Sequence, residues 1–205
     1  MKRFYVVVAV LCLASAAVAQ KADAAFVVGG SFVSDTTEIV AVPPPIPGGT
    51  ASIKTDHRIF FEGALGVRLL NAHAASLHVE LPVAGITSQD LTLKGGPPAI
   101  LDRLNTLFIT PGLRLKILAA APISPWASVG GGWAHYRLKD AGLTQNKAAL
   151  QFGGGLDFKT GLPLLGFRAE VRDFVTGDPN FGVFSTNSGL HHHNILVGGG
   201  VVLRF

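Results

Sequence analysis

Three groups of residues in this 205-residue chain have side chains and spacings that could do chemistry. The first is GFRAEVRDF at 166–174, where Arg168, Glu170 and Arg172 alternate with Phe167, Ala169 and Val171. The second is His191-His192-His193, and the third pairs Ser128 with His135. A catalytic or binding reading of the charged triplet has to compete with a structural one. Strict alternation is the signature of a β-strand with unlike faces, and charges on one face of a strand can simply be where water, or a polar interior, lies.

The histidine and serine groups carry less. Consecutive histidines in an extended chain point to alternate sides, so at most two could share a metal, and no acidic or cysteine partner stands at ligand spacing nearby in sequence. Hydrolysis needs a nucleophile, a base and an orienting acid together. Ser128 and His135 lie too far apart on one strand, while Ser185 and Ser188 share a glycine- and asparagine-containing segment with the histidines. No catalytic residue, metal site or cofactor is assigned from these patterns.

The chain start bears on which face of the triplet meets water. Lys2 and Arg3 precede the apolar run FYVVVAVLCLA, and Ala17-Val18-Ala19 supplies a small-x-small cleavage pattern. This predicts an export signal over 1–19 and a mature domain over 20–205. Cys12, the one cysteine, falls inside the signal, so disulfides would not brace the mature chain. Losing Lys2 and Arg3 lowers the formal charge from +4 to about +2, too weak a bias to suggest a nucleic-acid partner. Charged residues make up 15% of the chain and glycine is abundant at 25. Mean hydropathy is positive, yet no mature stretch reaches the 18 or so apolar residues of a membrane helix. Apolar composition without helix-length runs fits a closed sheet in contact with lipid.

Eight alternating segments can be read at roughly 26–34, 57–70, 76–85, 107–118, 125–138, 147–158, 163–175 and 192–205, each long enough to cross a bilayer when tilted. The connections alternate long and short: 35–56, 86–106 and 176–191 are long, 71–75, 119–124 and 159–162 short, and 139–146 of middle length. Residues 98–105 (PAILDRLN) could form one helical turn in a loop, and the prolines at 43–47 a stiff loop. The expectation is an all-β fold, an eight-stranded antiparallel up-and-down transmembrane β-barrel with short periplasmic turns and longer outer loops.

Each strand then carries large apolar residues on one face, and on the other charges mixed with glycine and alanine. The charged set is Arg58, Glu62, Arg68, Glu80, Arg114, Lys116, Asp157, Arg168, Glu170, Arg172 and Arg204. Seven are cationic and four anionic. In an eight-stranded barrel the interior is just wide enough to be filled by side chains, so these residues are expected to form an ion-paired plug; the alternative is a narrow, weakly anion-favouring path. A turn at KTGL (159–162) would place Glu170 near Gln151 and Arg168 near Gly153. Trp126 falls with the luminal set and Trp133 with the interfacial belt.

The segment FITPGLRLKILAAAPISPWASVGGGWAHY is similar to paired central strands of small bacterial outer-membrane barrels of the OmpA, OmpX and OmpW kind. LHVELPVAG and GFRAEVRDF resemble other strands of that family. ILVGGGVVLRF, through Val201, Leu203 and Phe205, resembles its C-terminal assembly signal. The Gly-x-Trp at 131–133 also matches a motif of lipocalins, but in the fifth strand rather than the first. The resemblance to the outer-membrane barrels implies a cell outer-membrane location, with lipid and lipopolysaccharide as surroundings. It further implies the barrel assembly machinery and periplasmic chaperones as partners in biogenesis, and a monomer. Members of the family include anchors, adhesins, small channels and lipid-modifying enzymes. The expected function is a non-enzymatic barrel acting through its outer loops, with a narrow solute channel second and a lipid-modifying enzyme third.

Overall fold

The computed structural model describes residues 22–33, 52–55, 58–72, 74–94, 99–118, 121–177 and 191–205. The signal segment, the prolines at 43–47 and Ser185 and Ser188 lie outside these. Ten strands are formed: β1 (Ala22–Val33), β2 (Ser52–Thr55), β3 (Arg58–Ala72), β4 (Ala75–Lys94), β5 (Ala99–Ile109), β6 (Gly112–Ile117), β7 (Ile123–Leu138), β8 (Thr144–Lys159), β9 (Leu165–Gly177) and β10 (His191–Arg204). They make one antiparallel sheet, closed where β1 pairs with β10 from Asp23↔Arg204 to Val33↔Asn194. Because β5 and β6 together form one stave, and β2 pairs only with the far end of β4, the barrel wall has eight staves.

The split in the fourth stave has a local cause. Pro111 has no amide hydrogen, and Pro82 on the facing strand lacks one too, so the ladder cannot run through this point. Pairing of β4 passes from β5, ending at Val83↔Ile109, to β6, beginning at Glu80↔Gly112. Thr110 N–H bridges the gap to Pro82 O at 3.4 Å.

Both chain ends of the barrel and the turns at 72–75, 118–122 and 160–164 lie at one rim, which the architecture assigns to the periplasm. At the outer rim the sequence expectation needs correction. Residues 86–94 and 99–106 are strand rather than a long loop, and 99–105 holds no helical turn: β4 runs for 20 residues to Lys94 and β5 starts at Ala99. About 9–11 residues cross a bilayer, so this hairpin projects beyond the wall, its edge extended by β2. Asp90 to Lys94 does alternate, but the Gly-Gly-Pro-Pro run at 95–98 and the mixed pattern of AILDRLN gave the stretch the look of a loop.

The register of the β8–β9 hairpin also differs. Glu170 faces Gly155 and Arg168 faces Asp157, while Gln151 pairs with Phe174. The expected partners were off by four because the turn is wider than KTGL. Thr160 Oγ1 donates to Leu165 O at 2.6 Å and accepts from Leu162 N–H at 3.2 Å, holding 160–164 as the turn.

The barrel is apolar outside. Phe26, Phe61, Leu65, Leu150, Phe152, Phe167, Val171 and Val197 are all about half exposed or more. A water-soluble protein does not show a continuous apolar surface of this kind, whereas a lipid-facing wall requires it. In β3 a bulge between Arg68 and Leu70 turns Leu69 and Leu70 both outward. Trp133 stands on the outer surface, half exposed, and Trp126 is buried inside.

Candidate functional site: the filled lumen

With Phe167 and Val171 outward, the intervening residues of β9 must point in. Arg168, Glu170 and Arg172 are 2%, 5% and 1% exposed. Ions removed from water this completely must be paired with good geometry, and the lumen supplies the partners in two tiers.

The lower tier lies toward the periplasm. Arg114 Nη2 donates to both oxygens of Asp23, at 2.7 and 2.5 Å. His78 Nδ1 stands 3.7 Å from the same carboxylate, and its Nε2 lies 3.0 Å from Ser76 Oγ. Asp157 is held by Lys116 Nζ at 2.5 Å and by a two-pronged contact from Arg168, Nε at 2.8 Å and Nη2 at 3.2 Å. Such fork-to-carboxylate pairs are the stronger kind.

The upper tier centres on Arg172. It donates to Glu80, reaches Glu62 at 3.0 Å and lies 3.4 Å from Glu170. Glu80 also meets Arg114 Nε at 3.3 Å, tying the two tiers together. Trp126 lies beneath both arginines, with guanidinium carbons 4.8 Å (Arg168) and 5.0 Å (Arg172) from its ring centre, a cation–π arrangement.

Glycine makes this packing possible. A Cβ at Gly155 would sit 2.3 Å from Ala169 O and 2.8 Å from the Trp126 ring. One at Gly66 would sit 2.6 Å from Arg114 Nη2 and 2.8 Å from Asp23 Oδ1. The small residues on the luminal face therefore leave free the space the large side chains fill.

Toward the outer rim the lumen changes character. Val27, Phe60, Ile86, Leu104, Phe108, Tyr136, Phe174 and Leu196 are buried together. Phe108 stacks on Phe174 at 4.5 Å between centroids, and Tyr136 Oη lies 2.7 Å from Thr176 Oγ1. Between the apolar and charged parts, Gln151 lies 3.0 Å from Ser128 Oγ, and Arg172 Nη1 is 3.3 Å from the same hydroxyl.

Of the eleven residues singled out in sequence, Glu62, Glu80, Arg114, Lys116, Asp157, Arg168, Glu170 and Arg172 are brought together in the two tiers. Arg58 lies apart, at the outer rim opposite Ser31, and Arg68 and Arg204 lie near the periplasmic mouth. Val201, Leu203 and Phe205 face outward at the end of the last strand. Asp23 was missed, because the first strand was started at 26; it has the same parity as Ala25 and Val27, so the alternation in ADAAFVV contained the signal. Counting Asp23, the buried set has four cations (Arg114, Lys116, Arg168, Arg172) and five carboxylates (Asp23, Glu62, Glu80, Asp157, Glu170). The excess of positive charge that suggested an anion path thus disappears from the interior.

The fold does not bring Ser128 and His135 together. Ser128 points inward to Gln151 and Arg172, and His135 on the same strand bonds Asn146 at 2.7 Å. His193 does have an acidic partner, Asp173 at 2.7 Å, brought beside it by the β9–β10 register rather than by sequence spacing. Among the described residues no three His, Cys, Asp or Glu side chains converge as a metal site.

No protein-family model matches the sequence, and no curated protein sequence matches it. Solved structures do match in fold. The outer membrane protein OprG from Pseudomonas aeruginosa superposes with a TM-score of 0.62 at 13% identity, over 91% of this chain and 96% of that one. Neisserial surface protein A (NspA) gives 0.56 at 11% identity, over 90% and 97%.

Proposed function

We propose that this chain, which has the fold of small eight-stranded outer-membrane barrels, is an integral protein of that membrane, of the OmpA, OmpX and OmpW kind: a non-enzymatic, internally plugged barrel acting through its outer surface. The single observation behind this reading is the filled lumen. Two tiers of ion pairs are capped by a packed apolar layer, which supports a plugged interior. In an eight-stranded barrel a filled interior makes the wall an anchor, and variation in what the protein contacts is left to the outer rim. The outer connections, with the projecting β4–β5 hairpin, are the parts free to meet host, neighbouring envelope components or lipopolysaccharide. Biogenesis through the barrel assembly machinery belongs to the same proposal, with Val201, Leu203 and Phe205 as the signal.

Planar-bilayer recording of the refolded protein tests the plug: no stable conductance steps are expected, and regular steps would overturn it. A narrow conduit for small apolar solutes is the second reading, favoured by the aromatic lining of Phe60, Phe108 and Phe174 in the outer half. Lipid A from cells with and without the protein should give the same mass spectrum; a changed profile would restore the enzyme reading.

A further inference from the structure

The lumen is not filled down to its periplasmic mouth. Below the Asp23–Arg114 and Lys116–Asp157 pairs a cavity of 320 Å³ opens toward that rim. Four cationic side chains line it from four different strands: Arg68 of β3, Lys116 of β6, Lys159 of β8 and Arg204 of β10. Ser76 and His78 add polar groups to the wall. The acid in the lining, Asp23, directs both carboxylate oxygens to Arg114, and Lys116 is held by Asp157.

Lys159 has an interaction of its own, which leaves Arg68 and Arg204. Both are only partly buried, and neither has an acidic partner among the described residues. They flank β1, since β3 and β10 are its two neighbours in the sheet. The Arg204 guanidinium rests against Gly166, where a Cβ would lie 2.7 Å from Nη2, so this wall position is shaped to the side chain. Planar guanidinium forks match oxyanions in two-pronged fashion, and a space of this size admits a small molecule. The ion-paired roof closes the cavity above, which makes it a blind site loaded from the periplasm rather than an entrance.

We infer that this vestibule binds a small polyvalent phosphate group, with Arg68 and Arg204 as its clamp. The test is calorimetric titration of the refolded full chain, in uncharged detergent at low ionic strength, with sodium pyrophosphate. Saturable binding is expected, weakened about ten-fold or more by R68Q and by R204Q, because each removes a two-pronged charged contact. R68K, which keeps the charge but loses the two-pronged contact, should bind more weakly than wild type and more tightly than R68Q, and R103Q at the opposite rim should bind as wild type does. A shift in gel mobility on boiling verifies that each variant is folded. Micelles doped with phosphatidylglycerol distinguish the source: competition with pyrophosphate marks a lipid headgroup, and its absence marks a soluble phosphate compound. No saturable heat, or affinity unchanged in folded R68Q and R204Q, would overturn the inference.

Discussion

Arg172 on β9 donates a hydrogen bond to Glu80 on β4, a residue 92 positions earlier and on the stave diametrically opposite. This contact spans the lumen, and Glu80 also answers Arg114 and Arg168. Replacing Glu80 by alanine leaves three buried cations short of one partner. Loss of one member of a buried pair costs about 3–5 kcal/mol, so Glu80→Ala is expected to lower the denaturant midpoint of the refolded barrel strongly. Asp140→Ala, in the exposed turn between β7 and β8, should move it little. Equal midpoints for the two variants would contradict the placement of Glu80.

Gly155 and Gly63 make a matched pair for the packing of the interior. Added carbon at Gly155 collides with the Ala169 carbonyl and the Trp126 ring, whereas at Gly63 it meets nothing within 4 Å. Gly155→Ala should therefore destabilise by roughly 1–3 kcal/mol, and Gly63→Ala should be close to neutral. Melting curves followed by circular dichroism would compare them; a neutral Gly155→Ala would show that Trp126 is not packed there.

The two tryptophans report the inversion of the barrel directly. Trp133 faces lipid and Trp126 is enclosed by Arg168 and Arg172. In vesicles containing brominated acyl chains, the variant Trp126→Phe, which keeps Trp133, should lose much of its fluorescence. Trp133→Phe, which keeps Trp126, should be quenched far less. The reverse order would mean that the strand faces are swapped.

Leu65 lies mid-strand on the outer surface at 61% exposure. An arginine at the bilayer midplane on the lipid face costs about 2–4 kcal/mol, so Leu65→Arg should reduce folding yield into vesicles while leaving solubility in urea unchanged. Wild-type folding yield in that variant would remove Leu65 from the lipid-facing belt.

Much of this architecture was legible in the sequence, and the reasons it was not wholly so are physical. Where one face is charged and the other apolar, as in GFRAEVRDF, period-2 alternation specifies both strand and facing. Where both faces are apolar, as at Ile59-Phe60-Phe61, alternation has no contrast, and so the aromatic outer half of the lumen could not be read. The projecting β4–β5 hairpin was hidden for a different reason: a Gly-Gly-Pro-Pro run at 95–98 interrupts it and AILDRLN has no clean period. Register depends on turn geometry, and a hydroxyl bond from Thr160 moved the turn and displaced every pair in β8–β9 by four. Asp23 was recoverable by carrying the parity of β1 two residues further back. The His193–Asp173 pair was not, because only the folded sheet makes residues twenty positions apart into neighbours.

The span from Arg172 to Glu80 has a consequence for how the barrel is made. A half-formed sheet lacking the β1–β10 seam would hold Arg172 and Glu80 on opposite arms of an open curve, each still solvated. Pairs between neighbouring strands, such as Asp157 with Arg168, can form earlier, but the contacts that cross the lumen await the moment the first and last strands zip, so sealing the wall and completing the charge network become one cooperative event. Charges in the middle of the cylinder act as a latch on its edge, favouring the sealed ring over any gaping intermediate.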